Sequence, residues 1–215
     1  MNTLVIPNAD FSANSLKMKA VTTDGHPYRI RVNTDQSYHG GTGDEFWGGT
    51  PMDIDGDFVI PRSAMGDYCT GMFAKIDTQS SSVSTIKELD LSLLNTSGIK
   101  SFNFMFWKCT NLGPNLDLSM FDVSSAIPVA GENGLFQSMF EDCLALRTLD
   151  LSNWNIPSAY SCDEYMFFSI ESTLQKIIVN NCSNETKSKI LAVLTPSEPS
   201  WHESIDEFGN VVLIQ

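Results

Sequence analysis

Residues with chemistry to offer are few in this sequence, and the densest group is acidic. Asp53-Ile54-Asp55-Gly56-Asp57, with Asp44 and Glu45 just before it, alternates carboxylates around a glycine. Hard cations want several oxygens from one tight loop, so Asp53, Asp55 and Asp57 are the candidate calcium ligands. The spacing departs from an EF-hand loop, which places its Gly after the third acidic position and a Glu six residues further on. The competing reading is a solvated acidic turn leading into a Phe58-Val59-Ile60 strand. Five cysteines (Cys69, Cys109, Cys143, Cys162 and Cys182) are an odd number and include no Cys-x-x-Cys pair. The histidines, His26, His39 and His202, lie far from all of them, so neither a disulfide framework nor a zinc site is expected.

Motifs for catalysis are missing as well. There is no Gly-x-Ser-x-Gly elbow, no His-Glu-x-x-His and no phosphate-binding loop. Gly40-Gly41-Thr42-Gly43 lacks the Lys and the following helical pattern that such a loop needs. The chain is therefore not expected to be an enzyme, and apart from the calcium candidates no cofactor is expected. Tryptophan is the remaining residue type with recognition chemistry, because exposed aromatic rings anchor protein interfaces and stack on sugars. Trp47 in a Gly-rich loop, Trp107, and Trp201 in a Pro-flanked segment are candidate surface residues, with burial as the competing reading. Trp154 is expected in the core.

The elements that would position these groups come from a repeat. Leu89-Asp90-Leu91-Ser92, Leu116-Asp117-Leu118-Ser119 and Leu149-Asp150-Leu151-Ser152 are near copies, and Ile177-Ile178-Val179-Asn180 is a degenerate fourth. Five positions after each start stand Leu94, Phe121, Trp154 and Cys182. Ahead of each copy comes an anchor: Met72-Phe73, Met105-Phe106, Met139-Phe140 and Met166-Phe167. Four residues after those methionines stand Ile76, Cys109, Cys143 and Ile170, so Cys exchanges with Ile at an apolar packing position. Period-two alternation makes each Leu-Asp-Leu-Ser a short strand with one buried face. Apolar spacing at i, i+1, i+4 and i+7 after each Met predicts a short helix or helical turn facing the same core. Strand starts 27, 33 and 28 residues apart suit one coil each, and stacked coils form a parallel strand ladder. Asp90, Asp117 and Asp150 then line up outward as a row of carboxylates, a further candidate binding surface.

Composition agrees with a folded scaffold. Hydrophobic residues are 42% of the 215, only 18% are charged, and the net charge is −13. An acidic chain with a pI near 4.4 is not expected to bind nucleic acid or an anionic membrane. No apolar run approaches the roughly 20 residues that span a bilayer. The opening Met1-Asn2-Thr3-Leu4-Val5-Ile6-Pro7-Asn8 has no positive stretch ahead of an apolar one, so no export signal is expected. Residues 1–60 read as a β-rich anchoring and oligomerising segment, with Thr3 to Ile6 and Tyr28 to Val32 as strands. Residues 61–183 hold the repeats. Residues 184–215 read as a helix–strand cap, with Ser183 or Asn184 as N-cap and Val211 to Ile214 as a last strand.

The run Met-Phe-x-x-Cys-x-x-Leu-x-x-Leu-Asp-Leu-Ser-x-Trp-Asn, complete from Met139 to Asn155, resembles the BspA-like leucine-rich repeats of bacterial surface proteins and adhesins. The resemblance covers residues 61–183 and implies an α/β solenoid: a short leucine-rich-repeat ladder with short helices, here following the β-rich N-terminal segment. It implies adhesion or protein binding and transfers no catalytic residue. Leu4-Val5-Ile6-Pro7-Asn8-Ala9-Asp10-Phe11-Ser12-Ala13-Asn14 resembles the start of structural and fibre-like bacteriophage proteins. Together these resemblances imply a virion appendage, a head or tail fibre component or attached adhesin. Its partners would be other virion proteins or a host-surface protein or glycan, with homo-oligomerisation through the N-terminal segment. The alternative is a bacterial cell-surface or secreted adhesin that binds a host protein.

Overall fold

A Leu-Asp-Leu-Ser run has backbone N–H and C=O groups that need partners when its leucines are buried. In a computed structural model the partners are the neighbouring copies. The structure describes residues 68–74, 86–128, 134–170, 172–194 and 200–215, and the backbone of four earlier strands. Those are β1 (Ser15–Thr22), β2 (Tyr28–Val32), β3 (Thr50–Ile54) and β4 (Phe58–Pro61). The repeat region carries β5 (Ile86–Leu93), β6 (Asn115–Asp117), β7 (Gly134–Leu135), β8 (Thr148–Asp150), β9 (Ser161–Cys162) and β10 (Lys176–Ile178). Helix α1 (Asn184–Val193) and strands β11 (His202–Ile205) and β12 (Val211–Ile214) follow.

Strands β6, β8 and β10, from the second, third and fourth copies, pair in parallel and in register. Leu116 faces Leu149 and Leu149 faces Ile177, with Asp117 beside Asp150. The row continues past the strands, where the Leu118 N–H donates to Asp150 O and the Leu151 N–H to Ile178 O, both at 2.9 Å. In the first copy, β5 adjoins β6, and Lys87 O accepts from the Gly113 N–H at 3.0 Å. Its strand partner, however, is β1, antiparallel, and β1 pairs in turn with β4. Strands of the N-terminal segment thus hydrogen-bond directly onto the first repeat copy. Tyr28 to Val32 forms β2 as expected and pairs with β3; Thr3 to Ile6 lies outside the described residues.

A second parallel row is built from the Met-Phe segments. The N–H groups of Phe73, Phe106 and Phe140 donate to Met105 O, Met139 O and Met166 O at 2.8, 3.0 and 3.0 Å. A short helix or helical turn is expected here, and the structure has runs of tight turns. Lys108, Asp142 and Ser169 sit at equivalent places with φ of 59°, 61° and 68°. A left-handed residue ends α-helical hydrogen bonding. The chain instead closes four-residue turns, with Cys109, Cys143 and Ile170 N–H donating to the carbonyls of Phe106, Phe140 and Phe167.

The core lies between the two rows. The rings of Phe73, Phe106, Phe140 and Phe167 form one stack, with centroids 5.5 to 5.7 Å apart and planes within 8° of parallel. Phe121, Phe102, Phe136 and Trp154 form a second column at 5.2 to 6.1 Å. The rungs approach so closely at Gly113 that a Cβ there would meet Ala145 O at 2.4 Å. At the C-terminal end, the Ser183 side chain caps α1 by accepting from the Thr186 N–H at 3.0 Å. The buried Thr186 Oγ1 accepts from the Ile156 N–H at 3.2 Å, tying the helix to the third copy. Val211 to Ile214 is a strand as expected, β12, which runs antiparallel to β10 and ends the parallel order.

Candidate interaction surface

Three thiols inside the repeats bond to the backbone of neighbouring copies. Cys109 Sγ donates to Phe73 O at 3.1 Å, Cys143 Sγ to Phe106 O at 3.2 Å, and Cys182 Sγ to Leu151 O at 3.3 Å. Burial pushes the Cys143 thiol well above its ordinary pKa and the Cys162 thiol up to about 12. Since the thiolate is the nucleophile and the metal ligand, these sulfurs are packing groups. Trp154 is buried and donates from Nε1 to Leu118 O at 3.0 Å. Among the described residues no group of three or more His, Cys, Asp or Glu is placed to hold a metal ion. Of the calcium candidates, Asp53 lies in β3 with only its backbone described, and Asp55 and Asp57 fall outside the described residues, as does Trp47.

The aspartate row has a structural task. Asp90, Asp117 and Asp150 each accept, through Oδ1, the N–H of the residue two positions on: Ser92, Ser119 and Ser152, at 3.0, 2.9 and 2.9 Å. An Asp that captures its own chain two residues later shapes the turn that ends a strand. Asp122 does the same with Ser124, whose hydroxyl and amide hold that carboxyl below its usual range. Asp90 and Asp117 stay exposed and Asp150 is half-buried, each with one oxygen committed to its turn.

The tryptophan candidates separate. Trp201 is a core residue, 6% exposed, and leaves the list of surface groups. Trp107 is half-buried and stands on the outer side of the turn row. Hydrogen bonds from Lys108 N–H to Glu141 O (2.9 Å) and from Asp142 N–H to Phe168 O (3.2 Å) set Trp107, Glu141 and Phe168 at one position of three successive rungs. Phe168 is 48% exposed and Tyr165 45%, with their rings edge to face at 5.8 Å. The buried Phe104 meets Trp107 edge on at 6.1 Å, and Lys108 Nζ lies 4.3 Å over the Trp107 ring. Leu144, 44% exposed, adds an apolar side chain one turn beyond Glu141. Tyr165 was not among the sequence candidates. Its signal was its column: it takes the place before Met that Gly71, Phe104 and Ser138 hold in the other copies.

Nothing in this row supplies a nucleophile with a base, or convergent acids around a cleft. It supplies flat rings and carboxylates on a hydrogen-bonded support, which suits binding. Against known proteins, residues 69–193 match the model of a family described as "Mycoplasma protein of unknown function, DUF285". No curated protein and no solved structure matches the chain.

Proposed function

The chain belongs to the family described as Mycoplasma protein of unknown function, DUF285, and from that membership and the stacking of its repeats we propose a non-enzymatic structural and recognition protein. In this proposal the repeats are a BspA-like leucine-rich-repeat solenoid, displayed on a bacteriophage virion appendage. The observation that carries it is the parallel, in-register stack of copies, in which thiols, aspartates and Trp154 bond to backbone. Side chains used in that way hold a scaffold together, and the outer face is left for recognition. The Met139 to Asn155 run lies inside the family match and supports the leucine-rich-repeat assignment. The virion setting rests on the resemblance of Leu4 to Asn14 to phage structural proteins. Its partners would be neighbouring virion proteins and a host-surface protein or glycan, with self-association through the N-terminal segment.

The BspA-like run also supports a second setting, a bacterial cell-surface or secreted adhesin. Quantitative mass spectrometry of purified particles and of the host envelope and medium separates the two. A fixed copy number per particle is the expected result. Enrichment in the envelope or medium, with none in particles, moves the protein to the adhesin setting.

A further inference from the structure

Resting on the reading of this chain as a binding scaffold, we propose that the row of Trp107, Glu141, Tyr165 and Phe168 docks a basic segment of a protein partner. Arginine or lysine side chains of that segment lie on the ring faces with their charge against Glu141 and its neighbours.

The row already shows this chemistry. Lys108 places its ammonium 4.3 Å over the Trp107 ring, so a cation occupies one ring face within the chain itself, as the negative π-face favours. Two rungs away, roughly 10 Å at ordinary strand spacing, Tyr165 and Phe168 offer a second aromatic pair with nearly half of each ring in solvent. Between the pairs stand Glu141 and Asp142, and Glu164 flanks Tyr165. Three carboxylates against one lysine make the face acidic, and the chain's net charge of −13 adds a long-range field that steers cationic partners toward it. The same charge opposes a second copy of the chain, because pairing through this face would bring like carboxylates together. Both ring pairs sit on hydrogen-bonded rungs, so little ordering is needed on binding. A neutral glycan would use the rings and leave the carboxylate charge without a counterpart.

Calorimetric titration of the full chain tests this, with a short peptide of alternating arginine and leucine as the probe. The glutamate–leucine peptide and a neutral oligosaccharide serve as controls. The expected result is binding of the arginine peptide alone, weakening as salt rises. Tyr165→Ala with Phe168→Ala lowers its affinity about tenfold or more, the loss of a hot-spot contact. Glu141→Gln weakens binding and flattens the salt dependence. Glu88→Gln, an exposed carboxylate in the first copy, changes affinity less than about twofold. Circular dichroism melts of each variant confirm that the fold is kept. No binding of the arginine peptide, tighter binding of the oligosaccharide, or equal losses for Glu88→Gln and Glu141→Gln with none for the ring variant each overturn the proposal. Those outcomes leave the scaffold reading standing. That reading fails separately, if the chain is found neither in particles nor in the envelope or medium.

Discussion

Four donors converge on the carboxylate of Asp206, in the turn between β11 and β12. Oδ1 accepts from the N–H groups of Phe208 and Asn210 at 3.0 and 2.9 Å, and Oδ2 from Lys176 Nζ at 3.1 Å and Asn210 Nδ2 at 3.3 Å. Burial works to raise its pKa, but the Asn210 amide, the Lys176 ammonium and the remaining donors outweigh it and bring the carboxyl down to about 2. A carboxylate depressed in the folded state stabilises it above the unfolded value of roughly 4, and that stability is lost as pH falls toward 2. Asp206→Asn should therefore melt below the parent at neutral pH, with the difference shrinking between about pH 4 and pH 2. Parallel melting curves that stay equally separated across that range would refute the assignment. The same chemistry explains how far the aspartates were legible. Their outward position follows from Leu-Asp-Leu-Ser alternation, and the Ser two residues on marks the turn in the sequence itself. That the turn would claim one oxygen of each is a feature of backbone geometry, which a row of letters does not display.

Adjacent phenylalanines of the fourth copy divide the work of the turn element. Phe167 ends the ring stack, fully buried against Phe140, while Phe168 faces solvent in the proposed binding row. Phe167→Ala should cost about 3–5 kcal/mol, the range for emptying a core aromatic site. Phe168→Ala should stay within about 0.5–1 kcal/mol. Urea unfolding of both variants checks this, and equal losses would mean that the two rings are not divided in this way. The Met-Phe anchors and the Cys-for-Ile exchange were readable because burial constrains residue type. The turn that follows was readable only as one of two alternatives, since i, i+1, i+4, i+7 apolar spacing fits a helix and a chain of tight turns alike. Of the residues that decide between them, Lys108 and Ser169 carry no mark of their left-handed backbone, and Asp142 carries only the mild preference of its type. Asn153 and Asn181, at φ 65° and 60°, are the turn residues whose type does announce it. Trp201, read from the sequence as either a surface ring or a buried one, is buried, and flanking prolines do not decide between the two.

On the scale of the whole molecule, repetition makes neighbours predictable and ends unpredictable. A copy that buries its leucines must pair with the next, so the order β6, β8, β10 follows from spacing in the sequence. Both ends carry antiparallel strands, β1 against β5 and β12 against β10, which move the outer edges to the four-residue strands β4 and β11, and short edge strands are poor templates for further pairing. Nothing in the short strand Ser15–Thr22 names β5 as its partner; that pairing is a long-range contact. It also makes the N-terminal strands part of the repeat region's edge, so removing residues 1–60 would disturb the stack as well as any anchoring role.

Four sequence copies form one hydrogen-bonded stack, and the proposed function rests on it. Native-state hydrogen exchange reads it amide by amide. The rung donors Phe106, Leu118, Phe140 and Leu151 should exchange only through global unfolding, converging on one opening free energy as denaturant is added. If these amides instead exchange as fast as unprotected peptide, or if the third copy opens freely while the second stays closed, the copies do not form a single stack and the claim is wrong.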